Sequence, residues 1–271
     1  MTDRYNILVS LVETMGDLVI AFSGGVDSSF LAAVAVRHAK GRVLAVTAVS
    51  EFLALADLDH SIEMARLLGI RQTLVQVPIM QNKSVTENTS FRCYHCKKAM
   101  FEKIGEVAAA QGVSLTAHGA NCDDLKEFRP GYRAALDLGV VAPLIDSGYD
   151  KAGIRQCSKR LGLKTWDMPS QSCLATRIPY GQVLTRETLS MVEAGETLLG
   201  TLGFSPVRVR CHQGLARIEV APGQILDLLR PDLKQIIVSK LIALGFDHVA
   251  VDMQGYVSGS MNRSVSGGRH T

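Results

Sequence analysis

The chain has 271 residues, enough for one large domain or two modest ones, and its 47% hydrophobic content suits a packed core. Lys and Arg number 29 against 26 Asp and Glu, and the formal charge of +3 gives no electrostatic basis for a dedicated polyanion binder, so a nucleic-acid partner is not expected. No apolar run approaches the roughly 18 residues needed to span a bilayer, and Met1-Thr2-Asp3-Arg4-Tyr5 lacks the charged and apolar regions of a signal peptide, so the expected setting is the reducing cytoplasm.

In chain order, residues 17–22 read as a short buried strand, Ser23-Gly24-Gly25 as a tight turn, and 26–39 as an apolar-periodic helix. A β-rich run at 43–49, helical spacing over 57–68 (Leu58, Ile62, Ala65, Leu68) and a strand at 73–77 continue the alternation. A polar loop at 81–90 follows, then a helix at 97–110, a strand at 113–118 and an irregular segment at 119–132. This order predicts parallel βαβ units: an open, doubly wound α/β sheet whose ligands sit beyond the carboxyl ends of the strands, where Ser23 to Gly25, Ser50 and Gly119 fall. Periodicity breaks around 167–180, so the first domain is expected over 1–168 and a smaller α+β module over 169–257. That module carries a helix at 185–202, strands at 207–211 and 215–220, a helix pair interrupted near Arg230-Pro231, and a last strand at 248–252. The Ser-, Gly- and Arg-rich tail at 258–271 has little to bury and is expected to be disordered.

Ser23-Gly24-Gly25-Val26-Asp27-Ser28-Ser29 lies between a strand and a helix, where glycines let backbone N–H groups approach a polyphosphate and the helix dipole and three serine hydroxyls add to the attraction. Neither the Walker spacing with its lysine nor G-x-G-x-x-G is present, which argues against γ-phosphate cleavage and dinucleotide chemistry. The heptad resembles the PP-loop of ATP pyrophosphatases, which cleave ATP between the α and β phosphates to adenylate a substrate. The resemblance implies that Ser23, Gly24, Gly25, Asp27, Ser28 and Ser29 form the nucleotide loop, with Asp27 acting through Mg²⁺, and that residues 47–49 receive the adenine. His118-Gly119-Ala120-Asn121-Cys122-Asp123-Asp124 brings an amide and two carboxylates to the same sheet edge. It reads either as an Mg²⁺-holding edge or as an Asp-capped helix start. Its likeness to the G-x-N-x-x-D segment of PP-loop enzymes favours the first and selects Asn121 and Asp124.

Of six cysteines, Cys122, Cys157 and Cys211 occur singly and read as buried fillers. Cys93-Tyr94-His95-Cys96 spaces two thiols to face one ion or cluster on a helical turn, and Cys173 stands near Arg177, whose charge favours a thiolate. Phe91-Arg92-Cys93-Tyr94-His95-Cys96-Lys97, Arg129-Pro130-Gly131, Gly139-Val140 with Pro143-Leu144, Cys173-Leu174-Ala175-Thr176-Arg177-Ile178-Pro179-Tyr180-Gly181, Val207 to Arg210 and Ala216 to Glu219 together resemble the LarE family. These are ATP-dependent sulfur transferases that make the nickel-pincer nucleotide cofactor. The resemblance implies adenylation of a carboxylate of pyridinium-3,5-dicarboxylate mononucleotide and its conversion to a thiocarboxylate. It further implies a four-iron, four-sulfide cluster on Cys93, Cys96 and Cys173, substrate contacts from Lys97, Thr176, Arg177, Arg208 and Arg210, and acidic site positions at Glu196, Glu219 and Asp227 that are candidate metal ligands. A homo-oligomer is also implied. Structural zinc at Cys93 and Cys96, or a Cys173 that gives up its own sulfur, stay open as alternatives. A tRNA thiolase and a non-catalytic ATP or redox sensor are the competing functions.

Overall fold

The computed structural model describes residues 3–126, 130–169 and 172–257, so Arg129 and the tail beyond residue 257 lie outside it. The chain divides into two compact units, residues 1–79 with 91–171 and residues 80–90 with 172–271.

The first unit opens with helix α1 (Asp3–Thr14), which the sequence reading left unassigned. Strand β1 (Leu18–Ala21), helix α2 (Val26–His38), strand β2 (Val43–Val49), helix α3 (Leu55–Leu68) and strand β3 (Arg71–Gln76) follow. After the excursion into the second unit come α5 (Arg92–Ala110), β4 (Leu115–His118), α6 (Pro130–Asp137), α7 (Pro143–Asp146) and α8 (Lys151–Arg160), α4 being the short helix of the excursion (Lys83–Thr86). The four strands form one sheet in the order β3-β2-β1-β4 with every pairing parallel.

Strand periodicity of two sorts the core into two layers. Leu18 and Ile20 of β1 and Ala45 of β2 join Leu31, Val34, Leu8 and Ile154 on one face, whereas Val19, Leu44 and Val46 meet Phe101, Ile104 and Ala108 of α5 on the other. β1 and much of α2 are therefore apolar on all sides, as strands and helices at the centre of a covered parallel sheet must be. The fold is the expected open α/β sheet with helices on both faces. The helix expected from 97 begins at Arg92, placing Cys93 and Cys96 in its first turn.

The second unit contains α9 (Arg186–Thr201), capped by the Thr185 hydroxyl, which accepts from the Thr188 N–H at 3.1 Å. Strands β5 (Val207–His212) and β6 (Leu215–Val220) pair antiparallel, and β7 (His248–Val251) joins β6 in parallel. The expected interrupted helix pair is two short 3-10 turns followed by the single helix α10 (Pro231–Ala243), because Pro231 lacks an N–H and fits the start of a helix rather than its interior. Residues 80–90, expected within the 1–168 domain, group with the second unit. Asn88, fully buried, donates its side-chain amide to the carbonyls of Pro179 (2.7 Å) and Gln182 (2.9 Å), and its own carbonyl accepts from Gly181 N–H at 3.0 Å. Leu184 N–H donates to Thr86 O at 2.8 Å, so the loop's hydrogen bonds belong to the second unit.

Candidate functional site

The phosphate-type loop stands where β1 ends and α2 begins. Gly24 adopts φ +73°, and a methyl group on it would stand 2.7 Å from the Ser61 backbone of α3, so only glycine fits on both counts. Gly25 caps α2 without a side-chain bond, leaving that helix end to N–H groups and hydroxyls. Ser23 Oγ and Ser28 Oγ lie 3.1 Å apart, Gly25 N–H donates to Ser23 Oγ at 3.3 Å, and Ser29 Oγ donates to Gly24 O at 3.0 Å. Six of the expected loop residues, Ser23, Gly24, Gly25, Asp27, Ser28 and Ser29, thus form one connected turn. Thr47, expected beside an adenine, is buried, donates to Phe22 O at 2.6 Å and accepts from Gln72, so its hydroxyl ties β2 to β1 and β3.

Asp27, in the first turn of α2, accepts from Lys151 Nζ at 2.6 Å through Oδ2, while its buried Oδ1 has no hydrogen-bond partner among the described residues. Burial raises its pKa above the usual carboxylate range, Lys151 opposes that, and the Asp124 charge adds to it. Asn121 and Asp124 form a capping box: Asn121 Oδ1 accepts from Asp123 N–H and Asp124 Oδ2 from Asn121 N–H, each at 2.9 Å. The two readings of this segment are therefore compatible, since the cap fixes the Asp124 carboxylate within electrostatic range of Asp27. Gly119 brings this segment onto the loop; a methyl there would stand 2.9 Å from Ser28 N. His118, largely buried between the rings of Phe101 and Tyr132, is pushed down to about 4 by burial and then by the Lys97 charge.

Cys93 and Cys96 share the first turn of α5, where the buried Arg92 donates to Cys93 Sγ at 3.9 Å. Lys97, one position on, lies 5.8 Å from the Phe101 ring. Cys173 is exposed and begins the 3-10 turn Leu174–Arg177 of the second unit. Its carbonyl accepts from Thr176 Oγ1 at 2.8 Å and Arg177 Nη1 at 3.0 Å. Among the described residues no group of three or more His, Cys, Asp or Glu side chains is arranged to hold a metal ion.

Two of the acidic positions are paired with arginines of the second unit. Glu196 is paired bidentately by Arg177 (2.8 and 2.9 Å) and accepts from Val209 N–H at 3.0 Å. Glu219 is paired by Arg210 and, at 3.0 Å, by Arg217. Both carboxylates thus have guanidinium partners that offset their charge. Asp227 is exposed in a separate 3-10 turn. Arg177 and Arg210 are correspondingly committed: Arg177 also donates to Ser172 O, and Arg210 to Thr176 O at 2.8 Å, so both clamp the Cys173 turn. Arg208 is different. It reaches Glu196 only at 4.0 Å and lies over the Tyr256 ring, and its pKa is lowered by burial and by the Arg177 charge. Among the described residues Arg177, Arg208, Arg210 and Arg217 are thus set against Glu196, Glu219 and Asp252.

Sequence spacing alone does not single out Lys151 or Tyr256. For Lys151 a signal existed: a lysine directly after the helix-capping Asp150 sits at the positive end of a helix, where cations are disfavoured without a specific partner.

A family model described as asparagine synthase matches residues 12–84. The chain is 30% identical over 260 residues to the pyridinium-3,5-bisthiocarboxylic acid mononucleotide synthase of Lactiplantibacillus plantarum, covering 96% of this chain and 94% of that one. It is 39% identical over 262 residues to an uncharacterized protein of Synechocystis sp. (96% and 98% covered) and 27% identical over 242 residues to an uncharacterized protein of Methanocaldococcus jannaschii (89% and 91%). With a phosphate loop at the head of α2 and a match to the synthase along nearly its whole length, the chain belongs to the LarE family of PP-loop, ATP-dependent sulfur transferases.

Proposed function

We propose that the enzyme activates a carboxylate of pyridinium-3,5-dicarboxylate mononucleotide with ATP and converts it to a thiocarboxylate. The observation that carries this reading is the serine-lined loop at the start of α2 beside the Asp27 and Asp124 carboxylates, in a chain that aligns with the synthase over nearly all its length. The substrate carboxylate attacks the α-phosphate of ATP, pyrophosphate leaves, and a sulfide-level nucleophile then attacks the acyl carbon and expels AMP. Adenylation supplies the leaving group that a carboxylate lacks. Loop N–H groups and the dipole of α2 stabilise charge on the departing pyrophosphate.

Mg²⁺ fits this edge. A buried carboxylate oxygen without a partner, next to a second carboxylate, is hard oxygen chemistry, and Mg²⁺ takes one or two protein carboxylates plus phosphates. Asp27 and Asp124 would hold it, and it would supply charge neutralisation on the phosphates. Cys93, Cys96 and Cys173 would be the thiols to hold an iron–sulfur cluster, although among the described residues no group of three or more His, Cys, Asp or Glu side chains is arranged to hold a metal ion. Cys93, Cys96 and Cys173 remain the proposed sulfur-handling thiols, with Cys173 the most accessible of the three. Arg208 is assigned to a substrate phosphate or carboxylate, with Lys97 and Thr176 as further contacts, while Arg177 and Arg210 hold the Cys173 turn. We take the working form to be a cytoplasmic homo-oligomer.

The test is incubation with ATP, the dicarboxylate nucleotide and a sulfide source under anaerobic conditions. AMP, pyrophosphate and an oxygen-to-sulfur exchange in the product are expected only with the carboxylate present; ADP and inorganic phosphate refute the reading. Iron, zinc and sulfide content and the mass of the recovered chain separate a cluster, zinc and a Cys173 that has lost its sulfur.

A further inference from the structure

We propose that His60, on helix α3, is a positioning residue for ATP binding: its ring holds the Gly24–Gly25 peptide in the orientation that offers the phosphates an N–H rather than a carbonyl oxygen. The proposal rests on the reading of the loop as an ATP site and assigns to it a residue that acts through the loop's main chain.

A peptide between two glycines is the one most free to rotate, because neither neighbour carries a Cβ that resists it. Gly24 has φ +73° and Gly25 φ −72°. Turning the peptide over changes ψ of Gly24 and φ of Gly25 and carries Gly25 to positive φ, which costs a glycine little. It also exchanges the faces to which the C=O and the N–H point, since the two are opposed across a planar trans peptide. A polyphosphate is attracted by the N–H face and repelled by the carbonyl, so the orientation of this one peptide governs whether the loop receives it.

Two side chains anchor it. His60 Nε2 lies 3.2 Å from Gly24 O, and Ser29 Oγ donates to the same oxygen at 3.0 Å. A carbonyl oxygen only accepts, so Nε2 carries the proton, and the two donors occupy both lone pairs. Gly25 N–H then faces the other way, where its bond to Ser23 Oγ is a long 3.3 Å and is readily exchanged for a stronger one to an anionic oxygen. The base of the histidine is itself fixed. Its neighbour Ser61 backs onto Gly24 so closely that a methyl there would stand 2.7 Å from Ser61 Cα. Ser61 Oγ donates to Leu58 O at 2.8 Å and accepts from Gln72 at 3.2 Å; Gln72 also donates at 2.8 Å to Thr47, which donates to Phe22 O at 2.6 Å. One polar chain thereby secures α3 and the carbonyl just before the loop. Ser29 is buried and His60 half-buried, so the histidine is the anchor that substitution removes without disturbing the core.

Because the anchor acts before ATP arrives, losing it lowers the fraction of chains with a receptive loop; apparent affinity falls by that fraction, and saturating ATP restores the loop. The experiment measures Kd for ATP by calorimetry, and KM and kcat by pyrophosphate release, on the full-length chain as wild type, His60→Leu, His60→Gln and His60→Asn. His60→Leu is expected to raise Kd and KM about three- to tenfold, the worth of one hydrogen bond, with kcat within about twofold of wild type. His60→Gln sets an amide N–H where Nε2 stands and recovers most of the affinity, whereas the shorter His60→Asn behaves like His60→Leu. A fall in kcat with KM unchanged marks a structural role and overturns the proposal, as does a wild-type Kd in His60→Leu. Should His60→Leu not fold, the two amide variants carry the test, and equal affinities for them overturn it. A wild-type chain that binds no ATP sinks the nucleotide-site reading itself, an outcome seen before any variant is made.

Discussion

Replacing Gly119 by alanine isolates the approach of the β4 end to the phosphate loop. Gly119 is not among the residues with positive φ, so alanine is conformationally permitted and the added methyl is the whole perturbation. That methyl would stand 2.9 Å from Ser28 N, 3.1 Å from the Asp27 carbonyl carbon and 3.2 Å from Ser28 Cα. All three are main-chain atoms in the first turn of α2 and cannot rotate aside, so relief requires the segment carrying Asn121 and Asp124 to back away. Overpacking of this kind costs about 1–3 kcal/mol. A displacement on the order of 1 Å between binding groups costs about a hundredfold in turnover. The matched control is Gly105→Ala inside α5, where a methyl meets nothing within 4 Å and helix propensity favours alanine by roughly 0.5–1 kcal/mol. Urea denaturation and pyrophosphate release on both variants decide the matter: Gly119→Ala loses stability and activity and Gly105→Ala gains stability. A Gly119→Ala protein with wild-type stability and pyrophosphate release would refute the claim that this glycine sets the loop-to-turn distance.

Glu196→Gln keeps the shape of the side chain and removes the charge that Arg177 grips; with side-chain exposures of 4% for Arg177 and 14% for Glu196, the loss is expected to be about 3–5 kcal/mol in denaturant titration. Alkylation of Cys173 should change rate in the same variant, because Arg177 also holds the Cys173 carbonyl; an unaltered rate argues against the clamp. His118 sets an acid limb: its pKa is about 4 folded against an ordinary 6.5, so the unfolded chain binds the extra proton between those values. Its contribution is complete above pH 6.5 and lost as the pH falls to about 4, roughly 3 kcal/mol in all. His118→Gln should flatten that stretch of the stability–pH curve, and a curve of wild-type slope would show that other groups cause it.

The elements readable from the chain are those whose cause is local. β1 and β2 are short runs of β-branched and apolar residues, Thr185 caps α9 with its own hydroxyl, and the Ser-Gly-Gly turn carries its conformational requirement in Gly24. The phosphate loop was legible for the same reason, since its donors are consecutive. The excursion of 80–90 was not: a polar loop looks alike whichever unit satisfies its hydrogen bonds, and Asn88 finds its partners some ninety residues away. The partners of the acidic positions were hidden for a related reason. Spacing along the chain does not show that Glu219, opposite Arg208 in the β5–β6 register, is gripped by Arg210 and Arg217.

The sequence by itself determined a phosphate-type loop on a parallel sheet and a set of thiols and guanidinium groups, because glycine conformation, hydrophobic period and side-chain chemistry act over a few residues. Only the tertiary structure decided which charges are spent on one another and which keep capacity. Arg177 and Arg210 are paired with buried carboxylates, and Lys151 comes across from α8 to Asp27. Electrostatic partnership depends on distance in space, and folding brings together charges that the chain keeps more than a hundred residues apart.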